Sequence, residues 1–97
     1  MGNRDPRYDL IKPMLSEGTI VSFTDIFKYI PKTIVANDLG KKVDRFTVMM
    51  NDPKKFAISD VYKMGDLFKI GVMKLYELID NEYLSQPQRE RENNLHS

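Results

Sequence analysis

The sequence has no cysteine, no tryptophan and a single histidine, His96, which is its penultimate residue. Without cysteine the chain has no disulfide bonds, no thiol nucleophile and no thiolate-bound metal. One histidine beside the chain terminus is a poor candidate for metal ligation or acid–base catalysis. The apolar runs are only a few residues long, which predicts neither a signal peptide nor a membrane span. We therefore expect a cytoplasmic protein that contacts no membrane.

Signatures of catalysis are also missing. The chain has no glycine-rich phosphate loop, no zinc-binding spacing and no serine with a plausible histidine partner. Three acids near one predicted turn, Asp38, Asp44 and Asp52, have basic neighbours, a setting that does not favour a magnesium cluster. We expect no enzymatic activity, no metal and no cofactor.

The residues that are present, 41% hydrophobic and 30% charged, are typical of a soluble globular protein. A chain of 97 residues has room for one domain with one core. The polar ends predict a flexible N-terminus at residues 1–6 and a disordered polar tail at residues 85–97. The single domain is expected to span residues 7–84.

Charge is distributed unevenly along this domain. Residues 28–55 contain seven basic and three acidic side chains, whereas residues 58–84 contain three basic and five acidic ones. A polyanionic partner would therefore dock on the middle of the chain.

Hydrophobic spacing is helical through nearly the whole domain, which predicts an all-α fold. The expected helices are 7–17, 23–30, 32–39, 43–51, 59–69 and 72–83. Pro13 predicts a short or kinked first helix, and Ser22 followed by Asp25 is typical of a helix N-terminus. Gly18 and Gly40 stand where helices end, because glycine tolerates the left-handed conformation. The expected architecture is a small bundle of five or six helices.

Residues 35–49 have the spacing of a helix-turn-helix. Such a unit needs a small residue where its helices touch, a glycine in the turn and apolar residues that fix the second helix. Ala36, Gly40 and the pair Phe46 and Met49 stand at these positions. On these residues and the flanking helices, the chain resembles the lambda-repressor-like (XRE/Cro-type) helix-turn-helix family over roughly residues 23–79. The resemblance implies a lambda-repressor-like domain with an extra N-terminal helix, acting as a sequence-specific DNA-binding transcriptional regulator of bacterial or phage character.

The resemblance also implies which residues contact double-stranded DNA. In this family the second helix of the unit lies in the major groove, so the residues facing base edges would be Lys42, Val43, Asp44, Thr47 and Val48. The residues near phosphates would be Arg45, Lys54 and Lys55, and a continuous positive surface would also include Lys32.

We also expect a homodimer, at least on DNA. A single module of this size buries only roughly 600–1,000 Å² on DNA, so useful specificity needs two copies on two half-sites. The dimer interface would use the first helix, with Leu10, Ile11 and Met14, or the last helix, with Leu78 and Tyr83.

Several residues depart from the family pattern. Lys41 stands where the family usually has an apolar residue, and Lys69 stands where it favours glycine, which predicts a different junction or a strained lysine. Neither Lys41 nor Lys42 is a good N-cap, and Asp44 places negative charge on the surface that would meet phosphates. The second hypothesis is therefore a helix-turn-helix-like module that binds a protein partner and no longer reads DNA.

Overall fold

The computed structural model describes residues 4–85. In this part of the chain there are five α-helices, three short 3₁₀ helices and no strand, so the predicted all-α fold is confirmed. The α-helices are α1 (Ile11–Ser16), α2 (Lys32–Asp38), α3 (Val43–Asn51), α4 (Ile58–Phe68) and α5 (Val72–Ser85). The 3₁₀ helices are Pro6–Leu10, Phe23–Lys28 and Pro53–Lys55. Residues 1–3 and 86–97 of the predicted tails lie outside the described residues.

The predicted first helix is two helices in sequence. A 3₁₀ helix begins at Pro6, where the Asp5 carboxylate accepts a hydrogen bond from the Arg7 N–H at 2.9 Å, and it passes directly into α1 at Ile11. Pro13 is the third residue of α1, where an N–H has no partner within the helix. Proline therefore fits there, and the change of helix type falls before it.

The second predicted helix is a 3₁₀ helix, shorter than expected. Its start is fixed as the sequence indicates, because the Asp25 carboxylate accepts hydrogen bonds from the Val21 and Ser22 N–H groups at 3.0 and 3.1 Å. Phe23 and Ile26 are fully buried on its inner side. Apolar residues spaced three apart lie on one side of either a 3₁₀ helix, with three residues per turn, or an α-helix, with 3.6 residues per turn. The sequence pattern therefore does not distinguish the two helix types.

The core draws on every α-helix. Four phenylalanines, Phe23, Phe27, Phe46 and Phe56, form a cluster in which the rings meet edge to face; Phe23 and Phe46 are buried in the core, and Phe27 and Phe56 pack against it. Phe46 of α3 lies 5.7 Å from both Phe27 and Phe56, measured between ring centroids. This cluster fixes α3 to the Phe23–Lys28 segment and, through Phe56, anchors the loop after α3 to the body.

Two tyrosines differ from what their helical spacing predicts. Tyr62 and Tyr76 lie on helical stripes and are expected to pack inward, but they are 57% and 39% exposed. Both lie beside the buried stripe of their helices, where the aromatic side chain reaches the surface. Tyr8, which the sequence analysis did not single out, is fully buried against Phe68, although it stands three residues before Ile11 on the same stripe.

Several residues expected to form a dimer interface pack in the hydrophobic core of the protein instead. Ile11 and Leu78 are 0% and 1% exposed, and Met14 is half-buried against the same core. A second copy cannot reach Ile11 or Leu78 while the fold is intact, so the expected interface is wrong for these two residues. Leu10, at 42% exposed, remains on the surface.

The junction of α4 and α5 contains a lysine in a left-handed conformation. Lys69 ends α4 with φ 57° and ψ 41°, which confirms the strained lysine among the two alternatives. Gly65 lets the junction and the start of α5 pack closely on α4, since a Cβ atom there would lie 3.2 Å from the Ile70 carbonyl oxygen and 3.4 Å from Val72 Cγ2. Within residues 4–85 no helix is long and apolar enough to cross a membrane.

Candidate functional site

The candidate site is built on α2, the turn 39–42 and α3. The turn depends on Gly40, whose φ of 72° favours glycine, and on a hydrogen bond from the Lys41 N–H to the Ala36 carbonyl at 2.9 Å. Ala36 is 1% exposed, and its small side chain allows the turn and α3 to pack closely against α2. Gly40 therefore follows α2 in the left-handed conformation that the sequence predicts, and Ala36 is buried.

One side of α3 is fixed to the core and the other faces solvent. Phe46 and Met49 are 0% and 2% exposed, as the sequence predicts. The opposite side carries four exposed residues, Asp44, Arg45, Val48 and Asn51, which we call the α3 outer face. Lys42, directly before α3, is also exposed and makes no side-chain capping hydrogen bond.

Two expected base-facing residues lie at the edge of the α3 outer face. Val43 and Thr47 are half-buried, and Val43 packs against the core. The Thr47 hydroxyl donates a hydrogen bond to the Val43 carbonyl at 2.9 Å, so its hydrogen is used within the helix. Asn51 was not among the expected site residues, although its position three residues after Val48 places it on this face.

The basic residues expected at the site have no acidic partner in the described chain. Among residues 4–85, no carboxylate forms an ion pair with any of Lys32, Lys42, Arg45, Lys54 and Lys55. Lys54 and Lys55 lie in the 3₁₀ helix that packs against α3, and both are exposed. The cations around α3 are therefore available to an anionic partner.

Lys41 has a different role from its neighbours. Its Nζ lies 3.4 Å from Asp60 Oδ1, and the side chains are only 25% and 8% exposed. The Asp60 carboxylate also accepts a hydrogen bond from the Ala57 N–H at 3.1 Å, at the start of α4. This pair explains a lysine where an apolar residue was expected, because it ties the turn of the site to the beginning of α4.

The N-terminal segment contacts the end of α2. The Tyr8 hydroxyl donates a hydrogen bond to Asp38 Oδ2 at 2.6 Å, and Asp38 is the last residue of α2. Burial of Tyr8, together with this carboxylate, raises the pKa of the phenol well above its ordinary value of 10.0. Arg4 lies over the Tyr8 ring at 5.2 Å and donates hydrogen bonds to the Leu67 carbonyl. The extra segment therefore braces α2 against α4.

A groove of about 500 Å³ lies beside the site. It runs between the loop after α3, α4 and α5, and it was not predicted. Its lining is Asp52, Pro53, Lys54, Phe56, Val61, Tyr76, Ile79, Asp80 and Tyr83. The groove combines an apolar and aromatic wall with two carboxylates and one lysine, which is a surface chemistry that differs from that of the α3 outer face.

Comparison of the chain with models of protein families, with curated proteins and with solved structures finds no match. Side chains of the metal-ligating types do not gather in groups of three or more within the described part of the chain. A functional interpretation therefore rests on the α2–turn–α3 geometry and on the charges around it.

Proposed function

We propose that this protein binds double-stranded DNA as a helix-turn-helix domain of the lambda-repressor-like type, with α3 in the major groove. The observation that carries the proposal is the α3 outer face, which a tight turn and two buried residues, Phe46 and Met49, hold clear of the body. A helix of nine residues is about 14 Å long, and the major groove, about 12 Å wide, admits an α-helix.

The charges around α3 support the same proposal. Arg45, Lys54 and Lys55 are exposed cations without acidic partners among residues 4–85, and each can neutralise a phosphate. Asp44 lies in the first turn of α3, where its negative charge stabilises the helix N-terminus. Its carboxylate oxygens can also accept hydrogen bonds from base amino groups. Binding energy would come from the cations, and sequence preference from the α3 outer face.

In this proposal the protein is a transcriptional regulator that occludes a promoter or operator, and it binds as a homodimer on two half-sites. Since Ile11 and Leu78 are buried, the dimer contact would use exposed apolar residues of α5, Met73 and Tyr76, which are 81% and 39% exposed. They stand three residues apart and so share one side of the helix.

The test is fluorescence-anisotropy binding to a mixed-sequence duplex at several salt concentrations. With three phosphate contacts for each bound protein molecule, the logarithm of the association constant should fall against log salt with a slope of about −3. Arg45→Glu should weaken binding by at least about tenfold and make the slope shallower by about one. The matched control is Lys12→Glu, because Lys12 is an exposed lysine of α1 outside the unit, and it should change binding little. Equal affinities of wild type and Arg45→Glu would contradict the proposal.

The alternative is a module that binds a protein partner, and the groove beside α5 favours it. The groove exposes an apolar wall that includes Tyr76 and Ile79, with Asp80 at its side. If the wild-type protein shows no binding to duplex DNA at low salt, this alternative replaces the first proposal.

A further inference from the structure

We propose that Val48 gives this protein a preference for A·T base pairs by contacting the 5-methyl group of thymine. The inference rests on the proposed function and concerns the sequence that the α3 outer face reads. It is carried by Val48, by Asp44 beside it on the α3 outer face, and by Thr47 at the edge of that face.

Val48 lies in the middle of the α3 outer face. At 100° per residue the exposed side chains follow one another around the helix in the order Asn51, Asp44, Val48 and Arg45. Val48 is 44% exposed although it is apolar, and its branched side chain has one strongly preferred rotamer in a helix. A stiff apolar group at the centre of a polar face can contact a base edge only through its methyl groups, and thymine alone offers a methyl group in the major groove.

The Thr47 hydroxyl group is not available as a hydrogen-bond donor to a base. Its Oγ1 donates to the Val43 carbonyl at 2.9 Å, so the hydroxyl is not available as a donor to guanine O6 or N7. What remains toward a partner is the Thr47 methyl group and the lone pairs of Oγ1. Thr47 therefore presents a methyl group and no hydroxyl donor at the edge of the α3 outer face.

Asp44 lies four residues before Val48, on the same side of the helix. In the described chain it has no cationic partner, so its carboxylate faces solvent as an acceptor. In the major groove guanine presents two acceptors, whereas adenine N6 and cytosine N4 each present an amino donor. A carboxylate beside Val48 therefore disfavours guanine at the position it contacts and can accept from the adenine that pairs with the thymine, while the preference for thymine itself comes from the Val48 contact.

The experiment compares two alternating duplexes of equal length, one of deoxyadenosine and thymidine and one of deoxyadenosine and deoxyuridine. They carry the same phosphates and differ in the thymine methyl group. Wild type should bind the thymidine duplex about fourfold more tightly, the ratio that corresponds to burial of one methyl group at about 0.8 kcal/mol. Val48→Ala should weaken binding to the thymidine duplex and reduce the ratio to about one.

Val21→Ala is the matched control. Val21 is an exposed valine, at 57%, in the loop before the Phe23–Lys28 segment, and its loss should leave the fourfold ratio unchanged. Thermal unfolding of each variant, followed by circular dichroism, verifies that the fold is intact.

Each outcome has a definite meaning. Equal wild-type binding to the two duplexes overturns the role of Val48 and leaves DNA binding in place. A fourfold ratio that survives in Val48→Ala also overturns it, because another residue then reads the methyl group. Absence of binding to both duplexes at low salt overturns the proposed function and this inference together.

Discussion

At the scale of single residues, Lys69 has an unfavourable backbone conformation, because it is a non-glycine residue in the left-handed region. A residue with a Cβ atom in the left-handed region costs roughly 1–2 kcal/mol, and Lys69 gains little in return. Its Nζ lies 3.8 Å from Asp9 Oδ1, and both side chains are more than half exposed, so this ion pair is weak.

Lys69→Gly should therefore raise the free energy of unfolding, by about 0.5–1 kcal/mol once the greater freedom of glycine in the unfolded chain is included. Urea unfolding followed by circular dichroism measures this change. Lys69→Ala serves as the control, because it removes the charge and keeps the strain, and it should leave stability nearly unchanged. A destabilised Lys69→Gly variant would show that the lysine side chain contributes more than the backbone conformation costs.

At the scale of elements, the hydrogen bond between Tyr8 and Asp38 joins the N-terminal 3₁₀ helix to the end of α2. Because burial and the Asp38 carboxylate raise the pKa of Tyr8 in the folded state, the folded protein keeps the phenolic proton at a pH where the unfolded chain loses it. The stabilisation from Tyr8 is fully present below its unfolded pKa of about 10 and is lost as the pH rises above that value.

The expected result is a free energy of unfolding that falls above pH 10, with Tyr8 contributing at most about 1.4 kcal/mol per pH unit. Tyr8→Phe should lower stability at pH 7 by about 1–2 kcal/mol and remove this part of the slope. Urea unfolding of both proteins between pH 7 and pH 11 separates the two effects, since the other tyrosines and the lysines are common to both. Identical slopes would contradict the assignment to Tyr8.

The helices also show which features of the fold and of the site can be predicted from the sequence. The bounds of α3 are as predicted, and those of α2 differ by one residue, because a glycine stop and clear apolar spacing are local signals. The 3₁₀ form of Phe23–Lys28 was not predictable, since apolar residues three apart suit both helix types and packing decides between them. For the site, the turn and the buried side of α3 were predictable. The pairing of Lys41 with Asp60 was not, because it joins residues of different elements.

At the scale of the whole molecule, α5 closes the structure by contacts with residues nearly sixty positions earlier in the chain. Glu82 Oε1 accepts hydrogen bonds from the Thr24 N–H at 3.0 Å and from the Thr24 hydroxyl at 2.6 Å. Asn81 donates to the Val21 carbonyl at 2.8 Å. The segment held in this way carries Phe27, whose ring packs on Phe46 of α3. One intermediate segment therefore connects α5 to α3.

This arrangement predicts that one substitution can separate stability from the DNA binding that we propose. Thr24→Val keeps the shape of the side chain and removes the hydroxyl donor, so it should lower the free energy of unfolding by about 1–2 kcal/mol. Thr24→Ser keeps the donor and should cost less. The affinity for duplex DNA, measured well below the unfolding temperature, should stay within about twofold of wild type for both variants, because the phenylalanine cluster still fixes α3 in every folded molecule. A loss of affinity in Thr24→Val at a temperature where the protein is fully folded would instead show that α5 controls the orientation of α3, and this would make the α5 contact part of the binding mechanism.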